Sequence, residues 1–302
     1  MHDGALVVDE ALARTLLAES FPGLGAAELR VLSTTGTVNT IVRVGDELVA
    51  RFPLLPATGA ELRAEAAAMT ALAEVCPFET PVPRGISAGT VDFPSSWSLQ
   101  TWVPGRTAGF DADAESASLA QDLVALIQSL RAADTDGRTF DGRGRGGNLL
   151  EHDEWVAQCL RESGHLLDVP RAERLWSALR ALPPVGPDVM SHRDLTPFNL
   201  LVEDRSGDTR LSGVLDAGGF GPADRSLDLV CAWHLFDASA RRVLRDGLDV
   251  SDVEWLRGAA WAFQQAMGLG WYYEESLPEM SALGRSTLRR LLEDEELSAL
   301  IG

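Results

Sequence analysis

The local sequence pattern of this 302-residue chain changes once, at Pro104-Gly105. Before that point, short runs of alternating apolar residues are separated by turn residues, a pattern that predicts an antiparallel meander. After that point, long stretches with helical periodicity predominate. We therefore expect an α+β protein with two lobes, an N-terminal lobe over residues 1–103 and a larger, mostly helical C-terminal lobe over residues 104–302.

The N-terminal lobe is predicted to contain a small antiparallel sheet and one main helix. Its strands are expected at residues 29–33, 40–44, 48–52, 86–88 and 97–103. The alanine-rich segment Gly59–Val75 predicts the helix, because alanine and unbranched residues favour helical backbone. An amphipathic helix over residues 9–20, capped by Asp9, is predicted to precede the sheet. In the C-terminal lobe, helices are expected at residues 113–133, 151–163, 170–181, 223–238, 251–273 and 282–294.

The most specific motif is the segment His192-Arg193-Asp194-Leu195-Thr196-Pro197-Phe198-Asn199. It matches the kinase catalytic-loop pattern H-R-D-L-x-x-x-N at every fixed position. In that pattern Asp194 accepts the proton of an acceptor hydroxyl, and Asn199 offers a side-chain oxygen to Mg²⁺. His192 is expected to brace the loop.

A second acidic residue follows at the place where kinases carry a metal-binding aspartate. Two apolar runs, 200–203 and 211–215, flank a turn and predict a β-hairpin. The hairpin leads directly to Asp216 in Asp216-Ala217-Gly218. Although an aspartate before glycine is commonly a turn residue, the order of loop, hairpin and aspartate predicts Asp216 as a second ligand of Mg²⁺.

The same order predicts a phosphate anchor on the third strand, paired with a glutamate on the following helix. Arg51 occupies that strand position and Glu65 the helix, with Glu61, one turn earlier, as an alternative partner. A surface ion pair is the other interpretation of these residues. Small residues in the turn after the first strand, including Thr35 and Gly36, are expected to contact nucleotide phosphates through backbone N–H groups and hydroxyls.

Charge and cysteine content limit the partners of the chain. The formal net charge is −19, and all 26 basic residues are arginine. This acidity disfavours nucleic acid and anionic membranes and would attract a cationic small molecule, although it also serves solubility. Three scattered cysteines without a C-x-x-C pair, and an N-terminus that lacks a signal-peptide pattern, predict a cytoplasmic protein.

These motifs resemble the aminoglycoside and macrolide phosphotransferases, small-molecule kinases that share the protein-kinase fold. The resemblance spans about residues 29–292 and includes Gly36, Asn39, Arg43, Pro104-Gly105 and the element Gly221-Pro222-Ala223-Asp224 with Asp228-Leu229. It implies that the nucleotide base contacts Gln100 and Trp102 in the segment between the lobes. Three departures are Arg193, where the family commonly has glycine, Ala217, where a bulkier residue is usual, and Arg51, where lysine is common although some branches of the family share the arginine.

The resemblance implies a Mg²⁺-dependent enzyme that transfers the γ-phosphate of ATP or GTP to a hydroxyl of a cationic antibiotic. A metabolite kinase of the same fold and a macrolide kinase are the alternatives. A protein kinase is disfavoured because no A-P-E motif follows Asp216, and the presence of Asp194, Asn199 and Asp216 argues against an inactive binding module. Glu274 and Glu275 are candidate contacts for a cationic substrate. The sequence leaves the acceptor, the nucleotide and the oligomeric state open.

Overall fold

The structure, a computed structural model, describes residues 6–32 and 38–302. Antiparallel strands and a larger set of helices make it an α+β protein, as predicted. The residues divide into two compact units. The first contains the residues up to Glu74, Glu79–Pro104 and Leu215–Gly218, and the second contains Val75–Phe78, Gly105–Val214 and Gly219–Gly302. A lobe boundary between residues 103 and 104 stays a prediction.

The first unit contains a five-stranded antiparallel sheet with the order β1-β2-β3-β5-β4. Its strands are β1 Leu29–Leu32, β2 Asn39–Val44, β3 Leu48–Pro53, β4 Pro83–Ser87 and β5 Trp97–Thr101. Helix α1, Glu10–Ser20, buries Leu16 and Leu17 in the same apolar cluster as Phe52 and Trp97 of the sheet. Asp9 caps this helix as predicted, because its carboxylate accepts a hydrogen bond from the N–H of Leu12. Helix α2, Gly59–Val75, has the predicted bounds.

The second unit consists mainly of helices. They are α3 Ala117–Ala132, α4 Asp153–Glu162, α5 Val169–Leu179, α6 Val230–Leu235, α7 Ala238–Leu248, α8 Asp252–Tyr272, α9 Pro278–Glu293 and α10 Glu295–Ala299. Two small antiparallel sheets accompany them. The strands of these sheets are β6 Arg106–Thr107, β7 Val189–Ser191, β8 Leu200–Arg205, β9 Asp208–Val214 and β10 Gly221–Ala223. Strands β8 and β9 form the predicted hairpin, and β7 pairs with β10.

The single helix predicted over residues 223–238 is wrong. Its first residue ends strand β10, and α6 covers only Val230–Leu235 before Phe236 turns extended with φ −100 and ψ 150. Asp237 then starts a new helix, because its carboxylate accepts hydrogen bonds from the N–H groups of Ser239 and Ala240. An apolar run was thus interrupted by a capping residue, which stabilises a helix start and not a helix interior.

Within residues 6–32 and 38–302, no helix combines the length and apolar character that a bilayer span requires.

Candidate active site

A buried carboxylate holds the backbone that leads to Asp194. Asp228, 3% exposed, accepts a hydrogen bond from Ser191 Oγ at 2.8 Å and from the N–H groups of His192 and Arg193 at 3.2 Å each. Because the donors belong to three consecutive residues, one side chain fixes this segment. Asp228 lies in the Asp-Leu element that contributed to the family resemblance, so the structure gives that aspartate a supporting role for the loop.

Arg193 lies at a backbone position that favours glycine. Its φ is 69°, in the left-handed region, which costs a non-glycine residue about 1–2 kcal/mol. The side chain makes compensating contacts: it donates to the carbonyl of Pro222, pairs with Asp141 at 3.2 Å and lies over the ring of Phe140 at 5.1 Å. The departure from glycine therefore has a structural consequence, since the arginine links the loop to its surroundings.

The carboxylate of Asp194 accepts hydrogen bonds from three side chains. Arg145 Nη2 donates to Oδ1 at 2.8 Å and Gln265 Nε2 donates to the same oxygen at 2.7 Å. Asn199 Nδ2 donates to Oδ2 at 3.0 Å and to the backbone carbonyl of Asp194 at 2.9 Å. The structure thus brings two of the predicted site residues, Asp194 and Asn199, into direct contact.

Arg145 was not predicted as a site residue from the sequence, and it lies in the glycine-rich segment 142–147. In the structure the carbonyl of Gly146 accepts a hydrogen bond from Asp224 N–H at 2.7 Å. Gly146 has φ 118°, and a Cβ atom there would lie 2.7 Å from the Cβ of Ala223. The loop is therefore attached to the residue that follows β10, at a position that requires glycine, and Arg145 directly precedes this attachment.

Gln265 was also not predicted from the sequence, and a buried histidine orients its side chain. Gln265 Oε1 lies 3.2 Å from His234 Nε2, and His234 Nδ1 lies 2.9 Å from Thr287 Oγ1. Burial lowers the pKa of His234 from 6.5 to about 4, so the imidazole is neutral at pH 7. The signal available in the sequence was a polar residue within the largely apolar second half of α8.

In the first unit, the predicted phosphate anchor is paired as expected from its strand and helix. Arg51 on β3 forms an ion pair with Glu65 on α2, and its Nη2 lies 3.6 Å from Asp216 Oδ1. The side chain of Asp216 is 50% exposed, and its φ is 57°, again in the left-handed region. Arg51, Glu65 and Asp216 are therefore brought together.

The alternative partner, Glu61, has a different structural task. Its carboxylate accepts hydrogen bonds from both the N–H and the hydroxyl of Thr58, while Thr58 Oγ1 accepts the N–H of Glu61. This reciprocal arrangement is a capping box at the start of α2. The hydrogen bonds from Thr58 lower the pKa of Glu61.

Of the two residues predicted to contact the nucleotide base, one is buried and the other already contacts neighbouring residues. Gln100 is buried at 8% exposure on β5. Trp102 donates its backbone N–H to the carbonyl of Glu47 at 2.8 Å, and the guanidinium of Arg43 lies 4.5 Å from the centre of its ring. Thr35 and Gly36, predicted to contact the phosphates, lie outside the described residues.

The acidic residues predicted to bind a cationic substrate differ in their surroundings. The Glu274 carboxylate lies 2.8 Å from His165 Nε2 and 4.0 Å from Arg285 Nη1, so it already has basic residues beside it. Glu275 is exposed.

Asn199 in the second unit and Asp216 in the first each have side-chain chemistry that fits magnesium. Both offer oxygen atoms, which this hard cation prefers, and Asp216 is accessible to solvent. Across the described ranges we find no group of three or more His, Cys, Asp or Glu residues able to hold a metal ion by themselves. Magnesium rarely uses such a cage, because it is usually held by one or two carboxylates together with water and substrate phosphates.

Comparison with solved structures shows the same fold in three phosphotransferases. The GDP complex of aminoglycoside 2'-phosphotransferase-IIIa matches with 17% identity and a TM-score of 0.69, over 93% of this chain and 99% of that one. The GDP and kanamycin complex of APH(2")-IIIa matches with 18% identity and a TM-score of 0.66, over 95% and 98%. Macrolide 2'-phosphotransferase MphH from Brachybacterium faecium matches with 19% identity and a TM-score of 0.61, over 92% and 98%.

Sequence comparison gives the family. No curated protein matches significantly in sequence. The family model of the phosphotransferase enzyme family, APH, matches residues 30–261, which is more than half of the chain. This range includes β2, β3 and α2 of the first unit and the segment with Asp194 and Asn199 in the second. The protein therefore belongs to the phosphotransferase enzyme family.

Proposed function

We propose that this protein transfers the γ-phosphate of ATP or GTP to a hydroxyl group of a small cationic antibiotic, such as an aminoglycoside, in a Mg²⁺-dependent reaction. The observation that carries this proposal is the Asp194 carboxylate, held by three donors within a phosphotransferase family member. Similar folds occur in proteins whose structures contain GDP with kanamycin and ATP with streptomycin. The three cysteines are free thiols, which supports the expected cytoplasmic location.

In this proposal, each of five site residues has one task. Asp194 accepts the proton of the acceptor hydroxyl as its oxygen bonds to phosphorus. Arg51 holds phosphate oxygens with its planar guanidinium, and Glu65 orients Arg51. Asn199 and Asp216 supply oxygen ligands to Mg²⁺, which when bound neutralises charge on the transferred phosphoryl group.

A metabolite kinase with a less cationic acceptor is the second candidate. Three contacts favour it. Glu274 is already paired with His165 and Arg285, and Arg145 already supplies a cation to Asp194. A macrolide kinase is a third possibility, for which the similarity to MphH is the supporting observation.

A nucleotide-turnover assay over aminoglycosides, macrolides and common amino alcohols and sugars, with ATP and with GTP, tests the proposal. We expect turnover with at least one cationic antibiotic and a KM for it that rises with salt, because a net charge of −19 attracts cations through a screened field. The assay is run at saturating nucleotide. Turnover restricted to neutral metabolites, with a KM insensitive to salt, would replace the antibiotic assignment with the metabolite kinase.

A further inference from the structure

We propose that Arg145 and Gln265 are positioning residues that occupy Oδ1 of Asp194, so that Oδ2 is the oxygen that receives the acceptor proton. This inference rests on the proposed role of Asp194 as the base. It adds two residues outside the catalytic-loop motif, and it assigns different tasks to the two oxygens of one carboxylate.

The assignment follows from the hydrogen-bonding capacity of a carboxylate. An ionised carboxylate offers about two acceptor sites on each oxygen. Oδ1 receives Arg145 Nη2 at 2.8 Å and Gln265 Nε2 at 2.7 Å, so both of its sites are filled. Oδ2 receives Asn199 Nδ2 at 3.0 Å, and we find no second donor to it among the residues that the structure describes. One site on Oδ2 therefore remains for the acceptor hydroxyl.

The orientation of Gln265 is set from the buried side of α8. Because its Oε1 faces Nε2 of His234, this oxygen needs a donor, and the neutral imidazole must carry its proton on Nε2. Nδ1 lies 2.9 Å from the hydroxyl oxygen of Thr287, which is also 2.9 Å from the carbonyl oxygen of Leu283. With Oε1 committed to His234, the amide NH₂ of Gln265 points to Asp194. The chain of contacts thus holds the carboxylate at a fixed angle.

Arg145 precedes Asp194 in the chain, whereas Gln265 follows it, and Arg145 lies on the glycine-rich loop. Its side chain is 31% exposed, compared with 35% for Asp194, so this ion pair lies where an acceptor has access. The guanidinium occupies the oxygen that a substrate ammonium group would otherwise pair with. An amino group of a cationic acceptor must therefore bind elsewhere, while its hydroxyl approaches Oδ2.

The proton and bond changes in the transfer step balance with these assignments. The acceptor O–H bond breaks and its proton moves to Oδ2, while the acceptor oxygen forms a bond to the γ-phosphorus. The bond from that phosphorus to the β–γ bridging oxygen breaks, and the nucleoside diphosphate leaves. Arg145 and Gln265 take part in none of these bonds, because they hold Oδ1 throughout.

Substitution of Arg145, with Arg143 as a matched control, tests the role of the loop arginine. Arg143 lies on the same loop and is exposed, so Arg143→Ala removes the same charge without removing a contact to Asp194. Turnover of MgATP and MgGTP is measured with kanamycin and with water as acceptors. We expect Arg145→Ala to lower kcat on the order of 10²-fold through misplacement of the base, with nucleotide affinity unchanged.

Two restorations separate positioning from a loss of folding. Arg145→Lys is expected to recover part of kcat, since a point charge replaces part of the planar fork, and added guanidinium ion is expected to raise kcat of Arg145→Ala more than that of Arg143→Ala. Gln265→Leu should lower kcat roughly tenfold, as expected for a lost hydrogen bond to a charged group. Equal losses in Arg145→Ala and Arg143→Ala, or no loss in Arg145→Ala, would overturn the inference.

A double-mutant cycle gives a readout that needs no turnover. The unfolding equilibrium of wild type, Arg145→Ala, Asp194→Ala and the double variant is measured in urea. We expect coupling of about threefold in the unfolding constant for this partly exposed pair, and none for Arg143 with Asp194. Additive effects would contradict the contact. Wild-type turnover in Asp194→Ala would instead overturn the proposed function and this inference together, whereas a loss there beside an unaffected Arg145→Ala would overturn the inference alone.

Discussion

Asp194 in the second unit and Asp216 in the first both lie beside an arginine, but their carboxylates are held to very different degrees. Asp194 accepts three side-chain hydrogen bonds between 2.7 and 3.0 Å. Asp216 has a looser contact, with Arg51 Nη2 at 3.6 Å, and half of its side chain is exposed. The difference matches what the two proposed tasks need. A base must stay in one orientation, whereas a metal ligand must exchange a protein partner for an ion.

The residues that support the two carboxylates also differ, because those behind Asp194 are more deeply buried than those behind Asp216. Behind Asp194 lie Gln265 and His234, both buried, and Asp228 fixes the preceding backbone. Behind Asp216 lies the pair of Arg51 and Glu65, whose side chains are 15% and 26% exposed. Variants near Asp194 should therefore affect stability as well as turnover, while variants near Asp216 should affect metal and nucleotide binding with little change in stability.

Replacement of Asp216 should have the largest effect. We expect Asp216→Ala to lower turnover by at least about 10³-fold, because several kcal/mol of charge stabilisation are lost with the metal. Nucleotide affinity should fall in the presence of Mg²⁺ and stay unchanged in its absence, as measured by calorimetry. Asp92→Ala, which removes an exposed carboxylate from the same unit, is the control. Equal nucleotide affinity of wild type and Asp216→Ala in Mg²⁺ would contradict the ligand assignment.

Replacement of Arg51 should have the next largest effect. We expect Arg51→Ala to raise the KM for the nucleotide by about 10- to 100-fold, the range for a lost charge-assisted hydrogen bond, and to reduce kcat. Arg51→Lys should recover part of this, because an ammonium cannot reproduce the fork. Arg63→Ala, on the exposed face of α2, is the matched control. If Arg51→Ala binds nucleotide normally, Arg51 and Glu65 form only a structural ion pair.

The buried support of Asp194 predicts a pH dependence of stability. Burial lowers the pKa of His234 from 6.5 to about 4, so the unfolded chain binds more protons between these values. Stability is therefore full at pH 7 and decreases as pH falls, by about 2 kcal/mol between pH 7 and pH 5. Urea denaturation of wild type and His234→Gln at both pH values measures this contribution.

Other groups also bind protons between pH 7 and pH 5. The contribution of His234 is therefore the difference between wild type and His234→Gln in the stability lost over this range. His152 is also buried enough for its pKa to be lowered, and it contributes with the same sign in both proteins. We expect His234→Gln to show a smaller loss of stability at pH 5 than wild type. The same loss in both proteins would show that His234 is not held neutral in the folded state.

The left-handed backbone at Arg193 predicts the smallest effect. Arg193→Val should be about 1–2 kcal/mol less stable than Arg193→Gly, because a branched side chain is poorly accommodated at φ 69°. Both variants lose the contacts to Pro222 and Asp141, so their difference isolates the backbone term. Thermal and urea unfolding measure it. Equal stabilities would mean that the backbone at this position does not require the left-handed conformation.

The fold was largely predictable from local pattern, and the exception has a physical cause. Strand alternation, the alanine-rich helix α2 and the hairpin β8–β9 agree with the structure because each is specified within its own segment. The predicted helix over 223–238 is wrong because Asp237, a helix cap, lies within an apolar run. Periodicity does not reveal where a buried helix stops and the next begins.

The candidate site was predictable where it is local and unpredictable where it is not. Asp194 and Asn199 belong to one motif, and Asp216 follows the predicted hairpin directly in the chain. Arg145 and Gln265 lie 49 and 71 residues from Asp194 along the chain, so no spacing rule connects them. The sequence pointed to Glu65 as the partner of Arg51 and left Glu61 as an alternative. The structure distinguishes them, because the carboxylate of Glu61 is bound to Thr58 in the capping box.

The most direct test of the account is the effect of Asp194→Ala on turnover compared with its effect on nucleotide binding. We expect kcat on the accepted substrate to fall by about 10²–10⁴-fold, the range for a lost general base, while the Kd of the Mg²⁺–nucleotide complex stays within about twofold of wild type. Single-turnover kinetics and calorimetry on the same preparations give both numbers. Wild-type kcat in Asp194→Ala would contradict the proposed role of Asp194 and with it the assignment of the site.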